Sequence, residues 1–169
     1  MFNELNDIII KMENLTDLGL EKETNKELAD KLNELLANYH IHYQDLRAFH
    51  WNIKGSNFFV LHPKFEELYT SALTKIDEIA ERILTLGHTP LHTFSDYVRV
   101  STIKEYQNLS NDRETVTATI DNINHVIHLE REILKLAGES NDEGTLGLIS
   151  DDINEQEKTH WMLQAFLKS

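Results

Sequence analysis

Residues 49–68 read FHWNIKGSNFFVLHPKFEEL. A glycine-containing turn lies between two segments of helical pattern, and a histidine stands on each side of it, His50 and His62. Upstream, Leu28, Leu32, Leu35, Leu36, Tyr39, Tyr43 and Leu46 recur at steps of three and four, the period of one helix face. That helix is expected to begin near Thr24, with Glu27 three positions on as in a capping box, and to stop by Gly55. Downstream, Phe65, Leu68, Tyr69, Ala72, Ile76, Ile79, Ala80 and Ile83 form a second stripe that ends at Gly87. This second helix starts between Asn57 and Pro63. Proline is easy only in a first turn, so the pattern implies either a start near Leu61 or a kink at Pro63.

The chain has only two prolines and six glycines in 169 residues, so each breaker is informative. From Gly87 to about Asp112 runs a connection of about 25 residues, long for a compact domain, with a short helix expected around Ser95 to Ser101. A third long helix is expected from about Asp112 to Ala137, stopping at Gly138, and a fourth from about Thr145 to Leu167 after the turn-rich ESNDEG. Four long amphipathic helices with one long central crossover describe an all-α, four-helix bundle of ferritin-like connectivity. The chain suits one domain, residues 1–169, with a short leading helix within residues 1–23.

There is no cysteine, which removes disulfides and thiolate metal sites and fits a reducing cytoplasm. The segment MFNELNDIIIKMENL has no basic leader, and no apolar run reaches membrane-spanning length. A net charge of −13 opposes general nucleic-acid binding, which needs cations to neutralise phosphates. Between Met1 and Leu20 the only basic side chain is Lys11, against Glu4, Asp7, Glu13 and Asp17.

Imidazoles and carboxylates without thiols suit iron, zinc or manganese. The candidate ligands are His50, His62, Glu66, Asp77 and Glu81. At 100° per residue, Glu66, Asp77 and Glu81 project at about 100°, 120° and 160° from Phe65, on one flank of the second helix. Glu66 and Asp77 are about 16 Å apart along that helix, whereas metal–ligand bonds are only about 2 Å. One straight helix therefore cannot bring both to one ion. Two antiparallel copies can: positions 62 and 81 share their midpoint with positions 66 and 77, between Ser71 and Ala72. A two-fold crossing there sets His62 opposite Glu81 of the second copy and Glu66 opposite its Asp77. Thr70 and Thr74 near the crossing are small enough for close approach. The spacing thus predicts a symmetric dimer with two shared metal sites, which His50 reaches from the preceding helix. By helical phase His50 also falls on the apolar stripe, so a packed core histidine is the competing reading, and the acids also fit a plain solvated flank.

FHWN at 49–52, NFFVLHPKFEELY at 57–69 and IDEIAERILTLG at 76–87 resemble the Dps family, the DNA-binding proteins from starved cells or mini-ferritins. The resemblance runs from about Thr24 to Leu167, through the WMLQAF ending. It implies a dodecameric hollow shell, built from two-fold dimers, that oxidises Fe(II) with hydrogen peroxide or dioxygen and stores ferric mineral. It also implies ferroxidase ligands at the two-fold interface, with room for two irons per site: His50 and His62 from one chain, Asp77 and Glu81 from its mate. Glu66 stands where the family often has aspartate. Trp51 would lie near the site, with packing as its expected role. The resemblance further places Asp142, Glu143, Asp151 and Asp152 near acidic three-fold pores, although acids are also favoured at any helix N-terminus.

Larger ferritins hold two irons inside one bundle, with paired Glu-x-x-His elements. This chain has one such element, Glu157 to His160, and a bundle core that otherwise reads apolar. Two other functions compete with iron oxidation: a nucleoid-associated DNA-protecting protein, which the acidic charge and the lack of a Lys-rich tail oppose, and a shell that binds zinc or manganese without ferroxidase activity.

Overall fold

The computed structural model describes residues 14–168 of the chain. Its helices are α1 (Lys22–Asn52), α2 (Phe58–Thr85), α3 (Phe94–Val100), α4 (Asp112–Glu139) and α5 (Glu143–Leu167). The leading helix expected within residues 1–23 lies largely outside the described residues. Residues 15–21 form a tight loop instead, closed by an antiparallel bridge between Leu15 and Glu21.

Three sets of contacts fix the helix directions. Asn25, early in α1, donates to the carbonyl of Leu86 past the end of α2 (2.9 Å), so the two helices are antiparallel. The turn between them meets the start of α4, where Lys54 N–H donates to Ser110 O (3.0 Å) and Asn57 Nδ2 to Asp112 Oδ2 (2.6 Å). Helix α4 therefore begins at the end of the bundle where α2 begins, and the crossover returns along the bundle's length, carrying α3. A short turn then closes α4 and α5 into a second hairpin. This is the four-helix bundle expected from the crossover length.

The helix ends follow local chemistry, with two departures from the sequence pattern, at Thr24 and at Gly138. Helix α1 starts before Thr24, whose hydroxyl donates back to Glu21 (2.7 Å) rather than capping the helix. Helix α2 begins at Phe58, so Pro63 is inside it. The N–H that Pro63 lacks would have served the carbonyl of Phe59, and Phe59 lies at the surface, where water can serve instead. Helix α4 runs through Gly138 to Glu139, and Asn141 takes the left-handed conformation (φ 54°), with Asp142 N–H closing on Ala137 O (2.9 Å). Gly87 ends α2 as expected, at φ 83°, with His88 N–H reaching Ile83 O (3.1 Å). At the start of α4, Asn111 Oδ1 accepts from Arg113 N–H (2.9 Å) and Glu114 N–H (3.3 Å). Asn111→Ala is expected to cost about 1 kcal/mol in chemical denaturation, the usual worth of an N-cap.

Both predicted stripes face the bundle axis, with Leu28, Leu32, Leu35, Leu46, Phe65, Ile79 and Ile83 completely buried and Tyr43, Leu68, Tyr69 and Ala80 half-buried. The core is not otherwise apolar, however. Glu130 of α4 is fully buried and accepts from Tyr39 Oη of α1 (2.9 Å) and from Gln156 Nε2 of α5 (2.7 and 2.8 Å). Lys75 of α2 lies between Asp152 (2.5 Å) and Glu155 (2.9 Å) of α5. Burial alone would lower the Lys75 pKa, but the hydrogen bonds it donates to both carboxylates hold it above its usual range. Buried Asn38 ties the crossover to α1: its Oδ1 accepts from Ser101 Oγ (2.8 Å) and from the backbone N–H groups of Thr102 and Ile103 (both 2.9 Å). No helix among the described residues is long and apolar enough to cross a membrane.

Candidate metal centre

Helix α1 ends at Asn52, so the carbonyls of its last turn have no partner within the helix. Lys54 N–H is drawn away to Ser110, and the carbonyl of His50 accepts from His62 Nδ1 instead (2.9 Å). Reciprocally, His50 Nδ1 lies 2.7 Å from the carbonyl of His62. A carbonyl has no proton to give, so each Nδ1 must carry one. In the neutral rings each Nε2 is then left with its lone pair, the tautomer a metal-ligating histidine needs. The turn at Gly55 (φ 102°) brings the two histidines together.

The rings stack with centroids 3.8 Å apart and planes 20° from parallel. Phe58 covers the far face of His62 (5.0 Å, 20°), and Tyr69 meets His50 edge-on (5.5 Å). An imidazole lone pair lies in its ring plane, so nearly parallel rings do not aim at one ion. This arrangement suits two neighbouring ions better than one.

Glu66, Asp77 and Glu81 are exposed on α2, and none is ion-paired among the described residues. One chain carries His50, His62 and Glu66 at one end of that flank, and Asp77 with Glu81 further along it. Among the described residues, no three histidine or carboxylate side chains converge within one chain. The single Glu-x-x-His element lies away from any such centre: Glu157 pairs with Arg131 at the surface.

Three side chains differ from expectation. Trp51 is not packed in the subunit but 58% exposed, with the Arg47 guanidinium over its ring at 4.6 Å. The four acids assigned to a pore divide into two pairs. Asp142 is buried, caps α5 through Thr145 N–H (3.0 Å) and pairs with Arg82 (2.5 Å); those hydrogen bonds outweigh burial and hold its carboxyl below the usual range. Asp152 is buried against Lys75. Neither is free to line a channel, whereas Glu143 and Asp151 are exposed. Tyr69, which meets His50, was not singled out by sequence, since it reads simply as part of the apolar stripe.

A ferritin-like domain model matches residues 29–169. An uncharacterised protein of Haemophilus influenzae is 51% identical over 150 residues, 89% of this chain and 94% of that one. The "DNA protection during starvation protein" of Porphyromonas gingivalis is 40% identical, covering 88% of this chain and 93% of its own. Among solved structures, a Dps protein from Vibrio cholerae, described as a member of the ferritin-like diiron-carboxylate superfamily, superposes with a TM-score of 0.89 at 48% identity, covering 91% of this chain and 97% of that one.

Proposed function

The chain belongs to the Dps family of ferritin-like proteins, and from that premise we propose that it is a ferroxidase and iron store. The observation that carries this reading is the pair of histidines whose Nδ1 protons are committed to each other's backbone carbonyls. Both Nε2 atoms are thereby prepared to receive Fe(II). His50, His62 and Glu66 of one chain and Asp77 and Glu81 of its two-fold mate would hold the substrate irons, up to two per site. The assembly is a dodecamer built from such dimers, acting in the cytoplasm, with ferric mineral stored inside. Glu143 and Asp151 remain the exposed acids suited to drawing Fe(II) towards a pore.

Two Fe(II) ions give one electron each while hydrogen peroxide takes both, with two protons, and becomes two waters. Passing the electrons as a pair avoids the one-electron cleavage that releases hydroxyl radical. The protein's own contribution is fixed anionic and imidazole donors with positions left open for oxidant. Hydrogen peroxide added to anaerobic, Fe(II)-loaded protein should raise ferric absorbance far faster than in a protein-free blank, at about two irons per peroxide. A trace matching the blank would leave a metal-binding shell without ferroxidase activity.

The relatives' name suggests DNA protection as a second reading. Removing peroxide and free iron protects DNA without contact, and a net charge of −13 per chain opposes direct binding. A gel shift at moderate salt without divalent ions is expected to show no retention.

A further inference from the structure

Two hydrogen bonds dock the α1–α2 turn onto the start of α4: Lys54 N–H donates to Ser110 O (3.0 Å) and Asn57 Nδ2 to Asp112 Oδ2 (2.6 Å). Asn57 stands at the N-cap of α2, where an asparagine ordinarily accepts from the helix's own N–H groups, yet it caps nothing there. Its side chain is committed to another helix instead. The other carboxylate oxygen of Asp112 is also in use, accepting from Arg113 N–H (2.7 Å). Asn57 and Asp112 are both half-buried, and the docked turn lies between His50 and His62 in the chain.

We propose that the Asn57–Asp112 hydrogen bond is a latch, and Asn57 a positioning residue of the metal centre that acts by selecting the donor to the His50 carbonyl. Two donors compete for that carbonyl. Lys54 is four residues on, so its N–H would take the carbonyl if α1 ran further. In the structure His62 Nδ1 takes it (2.9 Å). Where the turn is held decides between them. Ile53 leaves the helix with extended backbone (ψ 140°), and Lys54 N–H then meets Ser110 O rather than His50 O. Asn57 ties down the far side of Gly55, so the turn cannot rewind. Released from α4, the turn can extend α1, Lys54 N–H regains the His50 carbonyl, and His62 loses the bond that orients its ring and fixes its tautomer. A second effect runs through the next residue, because Phe58, whose ring covers the far face of His62 (5.0 Å), directly follows Asn57. Through Ser110 and Asp112, the end of the crossover sets the geometry of the ligand pair.

The proposal rests on the metal-centre reading above, and Co²⁺ titration of the assembled protein tests the two separately, with no turnover required. Asn57→Asp sets two carboxylates against each other and breaks the latch. It is expected to weaken Co²⁺ binding about ten-fold, the lower range for loss of a partner behind a metal ligand, and to alter the visible band of bound Co²⁺, which reports its ligand set. Adding Asp112→Asn exchanges donor and acceptor: the new amide keeps its oxygen for Arg113 N–H and gives its own N–H to the new carboxylate. Affinity and band should then return to wild-type values. Asn57→Ala removes the latch without adding charge or losing a cap, and should weaken binding as Asn57→Asp does even if the charged variant fails to assemble. Wild-type affinity and band in Asn57→Ala, whatever its Tm, or a loss in Asn57→Asp that the exchange does not restore, would overturn the latch while leaving the centre intact. Co²⁺ binding that is absent from wild type, or unaltered by His50→Ala, would overturn the centre and the latch together.

Discussion

Asp77→Ala is expected to lose at least about 100-fold in peroxide-driven iron oxidation while folding normally. The side chain is exposed on a long helix and makes no ion pair among the described residues, and alanine is the best helix former, so nothing structural is lost. His50→Ala should be equally inactive for a different reason, since it removes the imidazole at the other end of the half-site. The informative experiment is to co-express the two variants. If sites are shared across a two-fold axis, each mixed dimer has one site lacking both groups and one site complete. With random pairing about half the dimers are mixed, so about a quarter of the wild-type sites return. If each site were built within one chain, every site would lack one ligand and no activity would return. Since Glu66 and Asp77 are about 16 Å apart along α2, the single-chain outcome would require the ligand assignment itself to be wrong.

Much of the bundle was legible because its signals are local. The stripes from Leu28 to Leu46 and from Phe65 to Ile83 are a helical period, and a period survives any detail of packing. The crossover was legible from its length. The helix ends were less so where two residues compete for one role. Gly138 looks like a stop, but Asn141, three residues on, can also adopt a left-handed backbone and lets α4 run on to Glu139. Pro63 looks like a start, but the helix tolerates it where the orphaned carbonyl faces water. The spacing of the candidate ligands could be worked out because position along α2 is a ruler. What sequence could not give was the partner of each buried polar group. Glu130, Asp152 and Gln156 lie in α4 and α5 with nothing local to mark them as internal, and their partners Tyr39 and Lys75 are in α1 and α2. Asp142 and Asp152 were therefore grouped by sequence proximity with Glu143 and Asp151, although burial separates them. Trp51 was missed in the opposite sense: an aromatic beside a buried histidine need not be buried itself.

That buried network makes stability depend on pH in a direction unusual for a carboxylate. Burial pushes the Glu130 carboxyl up to about 8, against the hydrogen bonds from Tyr39 and Gln156 that favour its ionised form. Lys75 favours ionisation as well, but Asp152 opposes it, and the lysine is directly bonded to Asp152 and Glu155 rather than to Glu130. Glu130 is thus carried as the neutral acid at neutral pH. In the unfolded chain it ionises at its ordinary value of 4.5, so between 4.5 and about 8 the folded state holds a proton that the unfolded state has released. Stability contributed by the neutral acid is complete below 4.5, falls as pH rises through the interval, and levels off above 8. Asp45, raised to about 6 by burial, follows the same sign but has finished its fall near neutrality. His42 and His40, lowered to about 4 by burial, act in the opposite sense and cost stability only as pH drops below 6.5. Between pH 6.5 and 8.5 Glu130 therefore dominates, and wild type should lose about 2 kcal/mol in urea unfolding. Glu130→Gln places an uncharged amide of the same shape among the same partners, so its stability should be flat over that range and should exceed that of wild type increasingly as pH rises. Parallel curves for the two proteins would mean that Glu130 is ionised in the folded bundle, with Lys75 serving as its counter-charge across the core.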